Sequence, residues 1–359
     1  MRRLNEQLTI RQIRARPLDL ALSRPVETAS GTLRSAPLVL VDLTTEEGVT
    51  GCSYLRTYTP VALGPLAQLV ENVGALIEGD AASPQAVDEK LQSHFRLLGL
   101  QGLTGAALAG IDMALWDARA RAAGVPLVSL LGGEPRPIPA YASLRTMSPA
   151  GAAAEAEAAL EQGFTAIKVK VDRSTDLDAL RAVRSVAGDG VKLMVDYNQS
   201  LTVEEALSRV LELGDLGLHW IEEPTRADDY AGHARIADAS RTPVQLGENW
   251  WGPHDLEKSI AAGSSDHAMF NVMRIGGVTG WLRAAAIAQA AGLPVSSHAF
   301  PEFSVHLLGV TPGCHMLEYA GSADDFLLHP LEVRNGYAVV PETPGAGLDW
   351  DEDAVAGAT

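Results

Sequence analysis

At 359 residues and 37.9 kDa the chain is long enough for two domains, or for one large α/β barrel with an addition, and it can bury a sizeable core. Its 47% hydrophobic and 20% charged residues give a globular composition, which excludes disordered, fibrous and collagen-like readings. The 45 acidic residues against 28 basic ones leave a net charge of −17, a surface that repels phosphate backbones and anionic bilayers, so neither nucleic acid nor membrane is an expected partner.

Residues 1–135 read as α+β. Leu8 to Leu18 and Pro37 to Thr44 have strand composition, and Glu46-Glu47-Gly48 marks the turn into a third strand through Gly51 and Tyr54. Helical periodicity follows in Val61 to Ile77, Pro84 to Leu98 and Leu103 to Ala123, the last placing Leu108, Ile111, Leu115 and Ala118 on one face before Gly124-Val125-Pro126 ends it. Met1 to Pro25 mixes Arg and polar residues with single Leu and Ile and does not read as a secretory leader. No stretch approaches the roughly 20 apolar residues of a membrane span. Cys52 and Cys314 have neither disulfide-framework numbers nor metal-ligand spacing, which suits a reducing, cytoplasmic setting.

Residues 136–325 change rhythm. Short β-rich runs (Ala166 to Lys170, Lys192 to Asn198, Leu218 to Pro224, Pro243 to Trp250, Met269 to Met273, Pro294 to His298, Met316 to Tyr319) alternate with amphipathic stretches such as Pro149 to Gln162 and Val203 to Leu213. This alternation predicts an α/β class protein with a closed parallel barrel, since no Gly-rich phosphate fingerprint follows the first strand of a doubly wound alternative. Residues 326–359, with Pro341 and Pro344, read as loop and strand returning to the first domain.

Lys170, Asp196, Glu222 and Glu248 recur every 26 residues, one βα unit apart. In a parallel barrel all strand C-termini open on one face, so matching positions converge on one small volume. Three carboxylates there repel one another by several kcal/mol unless a cation joins them. All-oxygen ligation without nearby Cys points to Mg²⁺ rather than zinc. A helix-capping role would explain one such acid, but not three at a constant interval beside Asn198, Glu223 and Asn249.

Lys168-Val169-Lys170 sets two amines on one side of a strand, each expected to lower the pKa of the other and so free one as a base. Asn271, His298 and Glu318 continue the ring. His298, opposite a lysine across a metal-bound substrate, would be a second acid/base group.

These residues carry a resemblance. Lys168-Val169-Lys170, Val195-Asp196-Tyr197-Asn198-Gln199, Trp220-Ile221-Glu222-Glu223-Pro224, Gly247-Glu248-Asn249-Trp250, the Ile275 to Trp281 run, Ser296-Ser297-His298 and Leu317-Glu318 resemble the mandelate racemase/muconate lactonizing enzyme family of the enolase superfamily. Ala36 to Leu40 and Tyr58 to Leu63 extend the likeness into the first domain. The resemblance implies a modified TIM barrel, (β/α)₇β, under an N-terminal α+β capping domain, with Mg²⁺ on Asp196, Glu222 and Glu248. By it Lys170 takes the α-proton of a bound 2-hydroxycarboxylate through an ene-diolate, and Lys168 contacts the carboxylate and depresses the Lys170 pKa. His298 would serve the opposite face, and Glu318 would hydrogen-bond the substrate carboxylate. Asn198, Ser143, Tyr58, Arg56, Val26 and Leu33 stand at substrate-contacting positions, and a homo-oligomer is implied.

The chain departs from the family pattern at the catalytic histidine's partner and in the pocket. Asn271 replaces the Asp that pairs with the family's catalytic His, and an amide cannot stabilise an imidazolium as a carboxylate does, so His298 is expected to be a weaker base. Asp266 is no substitute, lying five residues earlier and roughly 16 Å away along the strand. In the pocket, Arg56 stands where the family has Phe, Arg145 lies near Ser143 and Ala320 replaces a larger apolar residue, a cationic and roomier arrangement beside a loop from Arg24 to Leu33 in which Val26 and Leu33 stay apolar. The expectation is a racemase-like enzyme, with an acid-sugar dehydratase using Lys170 as the alternative and a catalytically weak binding protein behind both. No Gly-x-Ser-x-Gly elbow or reactive-cysteine signature supports a hydrolase.

Overall fold

The computed structural model describes residues 8–357 apart from Ser30 and Ser322. The first seven residues of the Met1–Pro25 segment, Ser30 in the expected loop and the last two residues of the tail therefore lie outside the described residues.

The N-terminal half opens with β1 (Ile10–Thr28), β2 (Gly31–Thr45) and β3 (Thr50–Arg56), an antiparallel meander. Two of these strands are longer than expected. The pairing of Val26 with Leu33 and Thr28 with Gly31 makes the presumed Arg24–Leu33 loop the tip of a β-hairpin. A register shift between Ala21 and Val26 bends that tip. Glu27 then ties it to the barrel mouth: its carboxylate accepts from the Met147 N–H (2.7 Å) and the Thr146 hydroxyl (3.0 Å).

Helices α1 (Leu63–Ile77), α2 (Pro84–His94) and α3 (Gly102–Ala123) follow. The segment 60–77 is the one described helix long and apolar enough to cross a membrane by length and composition, a property the sequence reading did not credit to it. Its apolar side, with Leu66, Val70, Val73 and Ile77, instead packs on β1 and α3. Helix α3 is buried on nearly all sides because β3 covers one flank and the barrel the other. At Gly51 of β3 the approach is so close that a Cβ would lie 2.1 Å from the Ala114 carbonyl oxygen. The α3 carboxylates are spent on structure. Asp117 accepts the Cys52 and Ala346 N–H groups, and Asp112 accepts the Thr279 N–H and hydroxyl, which joins the two halves of the molecule.

After the short helix α4 (Leu127–Leu130) the barrel strands run β4 (Ile138–Ser143), β5 (Ala166–Lys170), β6 (Lys192–Asp196), β7 (Leu218–Glu222), β8 (Val244–Leu246), β9 (His267–Phe270), β10 (Val295–Ser297) and β11 (Leu317–Tyr319). Between them lie α5 (Pro149–Glu161), α6 (Asp176–Ala187), α7 (Val203–Leu213), α8 (Tyr230–Ala239), α9 (Pro253–Ala262), α10 (Gly277–Ala290) and α11 (Pro301–Val310). Neighbouring strands pair in parallel from β4 to β10, β11 pairs with β4, and the Ser297 N–H reaches the Met316 carbonyl to close the ring as (β/α)₇β. Strand β4 was not among the expected runs. The tail contributes β12 (Val333–Arg334) and β13 (Tyr337–Ala338) to the barrel edge, and Trp350 donates to Asp42 of β2 (2.8 Å) before the terminal helix α12 (Glu352–Gly357).

The pleat sorts the barrel interior into layers. Tyr141, Ala166, Met194, Trp220, Met269 and Met316 form a dry floor. Two residues further along the same strands stand Ser143, Lys168, Asp196, Glu222, Asn271 and Glu318. The period of two therefore puts an apolar plug beneath each of these six polar groups.

Candidate active site

The residues singled out by their 26-residue spacing meet at the C-terminal mouth. One carboxylate oxygen each from Asp196, Glu222 and Glu248 fall within 4.8 Å of one another, and all three side chains are buried. Asp196 and Glu222 end their strands. Glu248 follows β8 after Gly247, whose φ of +128° and whose Cβ position, 2.5 Å from the Met269 carbonyl, only glycine tolerates.

Burial raises the pKa of Asp196 and Glu222, Lys168 opposes both, and neighbouring carboxylates add to the rise. The adjacent Glu223, which donor spacing did not select, is also buried and raised by burial and by Glu248. Such a concentration of negative charge, with hard oxygen donors and no sulfur or imidazole among the three, fits a divalent cation of the Mg²⁺ type.

The lysines behave differently from the expectation that each lowers the other. Lys170 does fall below its ordinary value, through burial first and the Lys168 charge second. Its amine meets neutral acceptors, Ser143 Oγ at 2.7 Å and the Leu144 carbonyl at 3.3 Å. Lys168 rises: burial works to lower it, but Glu222 (2.5 Å) and Glu318 (2.8 Å) hold its ammonium charged. Lys168 thus belongs to the carboxylates, and Lys170 alone is poised to be a neutral amine.

Burial favours the acid form of Glu318, yet Lys168, His298 and Lys170 hold it well below the usual carboxylate range, and it accepts the Ala299 N–H at 3.0 Å. In this arrangement Glu318 is an acceptor, and donation to a substrate carboxylate would first require a proton.

His298, one residue past β10, places Nε2 3.1 Å from Glu248 and 3.7 Å from Glu318, with Nδ1 2.9 Å from the Asn271 amide nitrogen. Burial lowers its pKa against the pull of both carboxylates. Asp266 sits at the other end of the strand, accepting the Val244 N–H. Asn198 donates to Asp196 through both its backbone N–H and its side chain.

The roof comes from the first domain. Tyr58, in the left-handed region at φ 56°, has the Arg56 and Arg274 guanidiniums 5.1 and 5.0 Å from its ring centroid, and its hydroxyl is 3.4 Å from Asn271 Nδ2. Arg145 reaches the Ala320 carbonyl (2.9 Å) and, with Arg24, Ser143 and Tyr319, lines a cavity of about 110 Å³ beside Lys170. Val26 and Leu33 lie across from each other in the hairpin tip above. Arg274, which the sequence reading did not select, donates to the Glu248 carbonyl (3.2 Å) as well as stacking on Tyr58 and Trp251. Tyr58, Asn198, Gln199, Glu223, Ala299 and Phe300 all adopt positive φ around this mouth, strain of the kind that gathers at functional sites.

A closed (β/α)₇β barrel with an N-terminal cap and a buried acidic trio at the strand C-termini defines an enolase-type, Mg²⁺-dependent enzyme. Residues 12–132 match the model of the mandelate racemase/muconate lactonizing enzyme N-terminal domain, and residues 151–354 match that of the enolase C-terminal domain-like family. The chain belongs to the mandelate racemase/muconate lactonizing enzyme family.

A 3,6-anhydro-alpha-L-galactonate cycloisomerase from Streptomyces coelicolor is 32% identical over 92% of this chain and 93% of its own length. An L-talarate/galactarate dehydratase from Salmonella typhimurium is 29% identical over 93% and 87%. A solved structure, described as an enolase from Bradyrhizobium complexed with magnesium and mandelic acid, is 44% identical, with 99% of each chain covered and a TM-score of 0.93.

Proposed function

We propose that the protein abstracts the α-proton of a small 2-hydroxycarboxylate, with Lys170 as the base and Asp196, Glu222 and Glu248 as the ligands of Mg²⁺. The observation that carries this reading is the pairing of a half-buried lysine of lowered pKa, held by neutral acceptors, with a carboxylate trio one, two and three strands further round the barrel. The cation supplies positive charge against the charge that develops on the substrate carboxylate as the proton leaves. Lys168, kept charged between Glu222 and Glu318, adds a fixed positive charge beside it and disfavours a proton on Lys170.

Ser143 orients the Lys170 amine, and Asn198 orients Asp196. Tyr58, Arg56, Val26 and Leu33 cover the substrate from the cap. Mandelic acid, bound by the Bradyrhizobium protein, and the sugar acids of the dehydratase relative share the α-hydroxycarboxylate unit this arrangement handles. A racemase-like outcome is one reading of that step. Dehydration of an acid sugar is the second, favoured by Asn271 at the position that supports His298.

Proton NMR of the Mg²⁺-loaded enzyme in D₂O, against separate enantiomers of mandelate and a panel of sugar acids, tests the reading. Deuterium at the α-carbon, or a 2-keto product, is the expected result. No exchange with any acid would refute it.

A further inference from the structure

The two ring nitrogens of His298 face groups that decide where its proton sits. Nδ1 lies 2.9 Å from Nδ2 of Asn271, a side chain with no solvent exposure. The amide has a fixed orientation. Its Oδ1 accepts the backbone N–H groups of Met273 (3.0 Å) and Arg274 (3.2 Å), and exchanging its two ends would set an NH₂ against both of those donors. The nitrogen is therefore the end that meets His298. A primary amide nitrogen only donates, so Nδ1 must accept, and in the neutral ring the imidazole proton is on Nε2.

We infer that Asn271 is a positioning residue that locks His298 as an Nε2–H donor, so that proton abstraction runs on the Lys170 flank alone. For Nε2 to take a proton, Nδ1 would have to carry one, as the other neutral tautomer or as imidazolium. Either form points an N–H at the Asn271 NH₂. A carboxylate in the same place would accept the Nδ1 proton and free Nε2 as a base.

The inference rests on the proposed α-proton chemistry and narrows it. The Lys170 amine takes the proton, and the C–H electron pair moves toward the substrate carboxylate. That proton then either returns to the same face of the carbon or leaves with a β-hydroxyl as water, giving an enol that becomes a 2-keto acid. Atoms balance in both cases without a co-reactant. His298 contributes a hydrogen bond to a substrate oxygen and no second abstraction, which places dehydration or single-face exchange ahead of two-base racemisation.

The test is nitrogen NMR of the Mg²⁺-loaded enzyme labelled at histidine, with the His298 signals assigned by their loss in His298→Gln. An unprotonated Nδ1 and protonated Nε2 are expected in the native protein, and the reverse in Asn271→Asp. Alongside it, exchange in D₂O with separate enantiomers should label only one in the native protein, and Asn271→Asp should raise exchange of the other by about tenfold or more. A protonated Nδ1 in the native protein, or native exchange of both enantiomers, overturns the inference, and the exchange reading needs no variant that must fold. If no acid exchanges at all, the proposed function fails, while the ring-nitrogen signals still decide the tautomer.

Discussion

The two flanks of the site are built on different plans. Lys170 stands on a strand next to β4, and its amine is held over a short distance by Ser143 and Leu144 of that neighbour. His298 stands beyond a strand end and is held between Asn271, from β9's end, and Glu248. The lysine is surrounded by groups that leave its lone pair available, whereas the histidine has both nitrogens committed. Equal counts of acid/base residues on two sides of a pocket do not make two equivalent bases; the hydrogen-bond partner of each decides.

Both flanks depend on the carboxylates between them, so the largest effect is expected from removing the cation. Chelation of Mg²⁺ should abolish turnover and α-deuterium exchange, with recovery on Mg²⁺ addition; activity that survives thorough chelation would separate the chemistry from the trio. Next in size, Lys170→Met should lower exchange by about 10³-fold, within the range of about 10²–10⁴ for a general base, with thermal unfolding little changed. His298→Leu removes a hydrogen-bond donor, for which losses of about 10²-fold are usual, and should leave the surviving exchange on the same enantiomer as before. A change of enantiomer in that variant would show that His298, not Lys170, had been the base.

Much of this asymmetry was readable in the chain and some was not. The 26-residue period delivered Asp196, Glu222 and Glu248 because βα units of equal length repeat a barrel position. Asn271 was visible as a departure, but its orientation depends on the Met273 and Arg274 N–H groups, a turn geometry that no residue pattern announces. Strand β4 escaped because Pro139 interrupts a short run. The structure accommodates it where β13 crosses antiparallel, at the barrel's edge of entry. The hairpin tip reads as a loop in sequence because Arg24, Pro25 and Gly31 look like turn residues, while the pairing that extends the strands is non-local. Lys168 was misjudged for the opposite reason. Spacing along one strand showed the second lysine but not the two carboxylates, from β7 and β11, that claim its charge.

Lys170 works as a base only when neutral, so activity should rise with pH through its depressed pKa. Burial is the first cause of the depression and the Lys168 charge the second, so Lys168→Met should move this rise to higher pH as well as lowering the plateau. An acid limb that stays put in Lys168→Met would mean that burial alone sets the lysine flank.

The smallest effect is expected at Tyr58. Its hydroxyl lies 3.4 Å from Asn271 Nδ2, at the long end of a hydrogen bond, whereas Oδ1 of the same amide already has two backbone donors. Losing the hydroxyl should cost under about 1 kcal/mol, so Tyr58→Phe should change turnover by less than about fivefold and leave the His298 tautomer as it was. Because the ring is retained between Arg56 and Arg274, the roof stays in place. A large loss in Tyr58→Phe with an unchanged tautomer would give the hydroxyl a contact with the substrate itself. A shifted tautomer would mean that the cap, rather than the β9 turn, holds Asn271 in place.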